Sequence, residues 1–295
     1  MVKLYKLIFL LLLLSNNIFS QSDVKYVSPS GSDSNDGSLN SPYKTIVKAL
    51  STLNTGTIKL LDGIYREKVI IENKNNIIIS GDQFGNAVID GTISLNEFNW
   101  TETENNIFKT TIDTSIWQLF VEDKEMVMAR WPNAQFSDKS IYSWDTWAEG
   151  DEGSSINGLT VIDNTKSFFS GLDFSLDTAH AILNIGSFRT WNRKIQYSEG
   201  SEVIEYNNVP NNQYKDKHHY FFVEGDLNLL DTLNEWYHNP STGELWLMTD
   251  GTNPNDLNIK GKVNTYSFEV NNAENITIEN LFFFSSTLKV RAADN

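Results

Sequence analysis

Thr57-Ile58-Lys59-Leu60-Leu61, Glu67-Lys68-Val69-Ile70-Ile71, Asn76-Ile77-Ile78-Ile79-Ser80 and Ala87-Val88-Ile89-Asp90 are four short runs rich in β-branched residues. Asp62-Gly63, Glu72-Asn73-Lys74, Gly81-Asp82 and Gly91 close them. The runs recur about every ten residues, the spacing of short strands separated by tight turns. Each run is too small to bury its own apolar face. Regular short strands of this kind predict a solenoid, in which every coil stacks its side chains on the next. Spacing alone would also allow an antiparallel sandwich.

The pattern returns near the end. Ser267-Phe268-Glu269-Val270 precedes the turn Asn271-Asn272, and Asn275-Ile276-Thr277-Ile278 repeats the character of Asn76-Ile77-Ile78-Ile79. Leu281-Phe282-Phe283-Phe284 and Thr287-Leu288-Lys289-Val290-Arg291 follow. An asparagine before each strand suits a solenoid corner, because Asn tolerates left-handed backbone angles and its amide can bond along a stack. Between about 95 and 262 the repeat disappears, and this block holds all eight tryptophans. Strand-like runs such as Leu119-Phe120-Val121 and Glu244-Leu245-Trp246-Leu247-Met248 alternate there with turns. The organisation expected is a cap and first coils over 21–95, an inserted β-rich domain over 96–262, and resumed coils over 263–295.

Upstream, Tyr26-Val27 leads into a loop of Ser, Asp, Asn and Gly, and then Ile46, Ala49 and Leu50 fall at helical spacing. A short amphipathic capping helix is expected there. At the very start, Lys3 and Lys6 precede the apolar run Leu7 to Leu14, and Ser20-Gln21 offers a small residue for cleavage. That layout predicts a secretory signal peptide over 1–20. A retained anchor is the other reading, but the run is short of the ~20 residues that span a bilayer. Loss of the two lysines takes the formal charge from −15 to −17. Such an acidic chain is a poor partner for nucleic acid, and no later stretch suits a membrane. No cysteine is present, so stability has to come from burial and hydrogen bonding.

These residues carry a resemblance. Tyr26 to Gly37 with Ser41-Pro42-Tyr43-Lys44-Thr45-Ile46 resembles the entry of right-handed parallel β-helix proteins of the pectate-lyase-like superfamily. Asp62-Gly63-Ile64-Tyr65-Arg66-Glu67 and Val88-Ile89-Asp90-Gly91 look like turns of the same proteins. In the inserted block, Leu119 to Asp123, Met128-Ala129-Arg130-Trp131-Pro132-Asn133, Tyr220 to Gly225, Glu235-Trp236-Tyr237 and Thr242 to Leu247 resemble exported β-helix glycoside hydrolases. The resemblance implies an all-β fold, a right-handed parallel β-helix with an inserted β domain. For function it implies a secreted protein, extracellular or periplasmic, acting on a polysaccharide. A glycoside hydrolase leads; a polysaccharide lyase and a non-catalytic glycan-binding or adhesion module are the alternatives, since this scaffold hosts them all.

No motif fixes a pair of catalytic carboxylates. Lys289 and Arg291 alternate with Leu288 and Val290, so both should leave the outer face of one strand, where a glycan groove would lie, with Asp294 close by. A solvated basic face explains the same alternation. Arg130 and Trp131 could form a substrate wall, or could pack while Arg130 pairs with an acid. Trp144 and Trp147 lie beside Asp145, Glu149, Asp151 and Glu152, a combination suited to sugar rings and hydroxyls, or to calcium, or to a plain acidic loop. Asp33-Ser34-Asn35-Asp36-Gly37 has calcium-loop character but lacks the full ligand pattern and reads better as a turn. His180, His218, His219 and His238 show no metal-ligand spacing, and no metal site is expected from them. Asn99-Trp100-Thr101 and Asn275-Ile276-Thr277 fit the glycosylation sequon, which matters only in a eukaryotic host. Only two or three strands follow the insert, and the expectation is a fragment of a longer protein whose principal catalytic coils lie beyond Asn295.

Overall fold

A computed structural model of the chain describes residues 23–150, 158–160, 169, 172–186, 189–197, 200, 203–207, 209 and 216–291. It is mostly β, and it divides into two compact units. One combines the chain up to Thr92 with the chain from Asn264; the other is Ile93–Val263.

In the first unit three sheets are built from parallel pairs. Val24–Val27, Gly56–Leu60, Asn75–Gly81 and Glu274–Glu279 form one, with Ile58 opposite Ile79 and Ile77 opposite Ile276. Gly63–Tyr65, Ala87–Asp90 and Leu281–Phe284 form the second, aligning Tyr65, Ile89 and Phe283. Val69–Glu72, Tyr266–Asn271 and Thr287–Arg291 form the third, aligning Val69, Phe268 and Leu288. Among the described residues no antiparallel hairpin joins Val69 to Asp90, so the sandwich alternative does not apply to this segment. Val88 lies between Ile64 and Phe282, while Phe268 pairs with Val69 and Ile276 with Ile77. Every second residue turns inward, and Ile58, Ile71, Ile77, Ile79, Ile89 and Phe268 are fully buried.

Asparagine chemistry shapes the turns beside these strands. Asn73, Asn76, Asn272, Asn275 and Asn280 all hold positive φ, between 46° and 55°. Few side chains tolerate that backbone. The Asn275 amide donates to Asn76 Oδ1 at 3.1 Å, and Asn272 donates to Asn73. Both pairs join residues 199 apart in sequence. The helix Ile46–Thr52 buries Ile46, Ala49 and Leu50, as its spacing predicts. Its first N–H groups are met by Thr45, whose side chain accepts from Lys48, and by the Glu67 carboxyl, which accepts from Ile46 and Val47.

The second unit is largely antiparallel. A five-stranded sheet runs Val127–Met128, Glu235–Asn239, Glu244–Met248, Ile107–Thr111, Thr101–Glu104, with only its first pair parallel. A larger sheet is centred on Asp216–Glu224, flanked by Arg130–Trp131 and His180–Gly186. Leu119–Val121 turns back into Lys124–Glu125 through Glu122 and Asp123, at φ 49° and 61°. That is a two-residue hairpin loop whose twist suits the strands. Two apolar cores result, one around Phe169, Leu183, Phe221 and Val223, the other around Phe108, Leu119, Trp236 and Leu245. No helix is long and apolar enough to cross a membrane among the described residues.

Candidate functional site

The strand Asp216–Glu224 organises the site. Phe221 and Val223 enter the core beside Leu183 and Ala181, their register partners. Tyr220, Phe222 and Glu224 therefore share the opposite face, about 7 Å apart along the strand. Over this face lie the two tryptophans of the neighbouring loop. Trp144 is 5.4 Å from Tyr220 and 5.3 Å from Trp147, and Trp147 meets Phe222 edge-on at 4.8 Å. Trp144 remains 56% exposed. It sits in the short turn Trp144–Thr146, where Ser143 Oγ accepts the Asp145 N–H. The result is an aromatic platform with one open ring face, a surface on which sugar C–H groups can stack.

Arg130 lies beneath the platform and is buried. Its guanidinium stands 3.8 Å from the Phe222 ring and donates to the carbonyls of Pro132 at 2.9 Å and Thr146 at 2.8 Å. Burial lowers its pKa to about 10 against the pull of Glu224 and Glu235. Those carboxyls act on it through space; the hydrogen bonds described for the guanidinium go to carbonyls. Arg130 thus positions the platform from below. Trp131 packs edge-on against Phe169 at 5.2 Å and belongs to the margin of the core.

Next to Arg130 is a cavity of about 280 Å³. Its polar lining is Gln118, Glu125, Arg130 and Glu224; its apolar lining includes Met128, Phe136, Phe222 and Trp236, with Trp117 at its edge. Burial raises the Glu224 carboxyl above the ordinary range, and Arg130 partly opposes this. Gln118 Nε2 donates to Glu125 Oε1, while Gln118 Oε1 is buried with no partner among the described residues. A second hollow of about 600 Å³ shares Glu125, Met126 and Phe136 with the first. Behind the site Glu235 is fully buried and accepts from the N–H groups of Arg130, Asp231 and Thr232. Its carboxyl is pushed up to about 8, first by burial and then by Asp231.

Of the residues singled out from the sequence, Trp144, Trp147 and Arg130 are brought together with Glu224, while Glu224, Gln118 and Glu125 were not among the candidates. Alternation through Tyr220-Phe221-Phe222-Val223-Glu224 was a usable signal for Glu224. Nothing local marks Gln118. In the first unit, Lys289 and Arg291 do share a face, opposite Glu269 and Asn271. Lys289 is spent there, 3.8 Å from Glu269 and over the Tyr266 ring, and Lys68 holds Glu269 from the other side at 2.7 Å. Leu288 and Val290 continue the column of Phe268 and Val270, yet they are 38% and 64% exposed, the column having no further described residue beyond them. Asp33, in the calcium-like loop, accepts from Lys44, Thr45 N–H and Thr45 Oγ1, so its carboxylate holds the turn. Asp151, Glu152 and Asp294, and the side chains of His218 and His219, lie outside the described residues. Among the described residues no group of three or more acids or histidines is placed to hold a metal ion.

No family model matches the sequence, and no curated protein matches it. A solved structure described as a glycoside hydrolase is similar over 90% of this chain, at 17% identity and a TM-score of 0.70. The chain spans 51% of that protein's length. A complex of XylC with xylose aligns over 84% of this chain and 32% of its own, at 15% identity and a TM-score of 0.38. The likeness to the glycoside hydrolase is one of fold.

Proposed function

We propose that the chain belongs to an exported, carbohydrate-active protein, a glycoside hydrolase acting on a polysaccharide. The observation that carries the reading is the single strand face Tyr220, Phe222, Glu224, roofed by Trp144 and Trp147. Stacked aromatics beside a carboxyl whose pKa burial raises are two elements of sugar handling: a surface for the ring and a group suited to proton exchange with an oxygen. The fold-level likeness to a glycoside hydrolase points the same way, as analogy.

The same proposal includes the architecture. The three parallel sheets are read as coils of a right-handed parallel β-helix, with Ile93–Val263 inserted between one coil and the next. Parallel register between segments 199 residues apart supports it. The outer face carrying Lys289 and Arg291 is proposed as part of a glycan groove.

The test is release of reducing ends from a panel of neutral and uronate-containing polysaccharides, using the full-length gene product. Turnover of at least one, lowered in Glu224→Gln, is the expected result. Appearance of unsaturated uronates would select a lyase instead. Retention on a polysaccharide with no turnover would select a binding module.

A further inference from the structure

We propose that the outer face of the strands His180–Gly186 and Arg189–Gln196 extends the aromatic platform into a track for several consecutive units of one glycan chain, with Asn184 and Asn192 as its hydroxyl-binding groups. This rests on the carbohydrate reading above and adds where the chain lies beyond Trp144.

Strand register places this face. Tyr220, Phe222 and Glu224 stand directly opposite Asn184, Ile182 and His180. Ile182 and His180 in turn stand opposite Asn192 and Lys194. Residues paired in this way project to the same side of a sheet. The other side is core, where Ala181 and Leu183 are fully buried with Phe221 and Val223. Burial falls away from the platform: Asn184, Ile182 and His180 are half-buried, and Asn192 and Lys194 are exposed. Asn192 lies two strands from Phe222, about 10 Å. One pyranose ring does not cover that span, whereas consecutive units do.

The asparagines give the second argument. Asn is depleted in strands, because its amide competes with the backbone for hydrogen bonds and packs poorly on a pleated surface. Elsewhere in Ile93–Val263 asparagine side chains tie loops together. Asn96 donates to Leu257, Asn133 to Asp231 and Asn255 to Trp100, and Asn253 accepts from the Asn255 N–H. Asn184 and Asn192 sit inside strands instead, and their amides have no hydrogen bond among the described residues. The fold gains nothing from either amide. Pairing with the strand Asp216–Glu224 also shifts register between Asn184 and Gly186, an irregularity of the kind found beside binding sites.

Chemistry selects the occupant. Each amide carries two N–H donors and a carbonyl acceptor, a set that matches sugar hydroxyls, which both donate and accept. Ile182 stands opposite Asn192 and two residues from Asn184, an apolar patch for the C–H face of a ring. Lys194, with no ion pair among the described residues, adds donors at the exposed end. A protein partner would call for a larger apolar centre than one isoleucine among amides and charges.

Affinity electrophoresis of the full chain in gels carrying laminarin, xylan, galactomannan, arabinogalactan or pectin identifies a glycan that retards it. Calorimetric titration then uses oligosaccharides of that glycan, from one unit to six. Affinity should climb about tenfold from one unit to four, as further hydrogen bonds come into play. Asn192→Val puts a strong strand former at an exposed strand position. It should weaken the longer oligosaccharides about three- to tenfold, the scale of one hydrogen bond, with the melting temperature unchanged or raised. Affinity that stays flat with length, or is full in Asn192→Val, would overturn the track. If Trp144→Ala still releases the glycan in that case, the carbohydrate reading stands without it. A lower melting temperature in Asn192→Val would show that the amide serves the fold and would overturn the assignment. Polysaccharide turnover by a chain that no gel retards would overturn the track and leave the hydrolase reading standing. Length-dependent binding lost in Asn192→Val, by a full-length product that turns over nothing, would do the reverse.

Discussion

At Glu224 burial and charge pull in opposite directions, and burial is the larger. Its neighbour Glu235 makes the same point for stability. Its folded pKa stands at about 8 against an ordinary 4.5. The folded state therefore binds more protons than the unfolded state between those values. Stability contributed by the protonated form is fully present below about pH 4.5 and is lost as pH rises through 8. Thermal unfolding midpoints should fall over that window, and Glu235→Gln should flatten the dependence. A midpoint that rises from pH 5 to 8 in the wild type, once other groups are matched, would contradict this. Trp144→Ala tests the platform separately. The side chain is mostly exposed, so the melting temperature should hold. Glycan affinity should drop about three- to tenfold, from the ~0.5–1.5 kcal/mol carried by one aromatic contact.

Within one element, neighbouring residues can have unrelated jobs. Phe221 and Phe222 are adjacent in the strand Asp216–Glu224, but Phe221 is fully buried in the core and Phe222 supports Trp147 and Arg130. Phe221→Ala should cost about 3–5 kcal/mol in chemical denaturation, the range for a large buried ring. Phe222→Ala should cost clearly less and act on glycan binding instead. Equal losses in both would mean that the two faces are not distinct. Asparagine turns behave likewise. Asn275 combines φ 53° with an amide bond to Asn76. Asn275→Gly should keep the backbone and lose only the amide, whereas Asn275→Val meets a left-handed conformation that a branched side chain resists. The valine variant should be the less stable by at least 1 kcal/mol, about the backbone penalty alone.

On the scale of the molecule, each unit has its own core and its own closure. In Ile93–Val263 the two ends of the segment meet, since the Leu95 N–H donates to the Ile259 carbonyl at 2.8 Å and the Asn96 side chain bonds to Leu257. The segment should therefore fold when expressed alone as residues 93–263, with a cooperative melt and dispersed amide signals. A molten species with no near-ultraviolet dichroism would show that closure depends on the rest of the chain. In the other unit the Asn264 N–H donates to the Gly91 carbonyl at 2.9 Å. The chain thus leaves and returns at one point, which is how an insertion of this length leaves parallel register intact.

Local sequence carried much of this. Alternating Ile and Val with Asn or Gly between them determined the strands, their inward faces and their turns, because pleat period and left-handed tolerance are properties of single residues and their neighbours. Helix Ile46–Thr52 was legible for the same reason, as was the strand Glu244–Met248. Two further matters were decided only in three dimensions. The first is partnership: Val69 meets Phe268 and Ile77 meets Ile276 across the whole inserted block, a choice made by stacking rather than by spacing. The second is the site. Gln118, Glu125, Arg130 and Glu224 come from segments with no shared motif, and their chemistry comes from burial. Desolvation raises Glu224 and strands the Gln118 carbonyl, and no residue carries its own desolvation in the sequence.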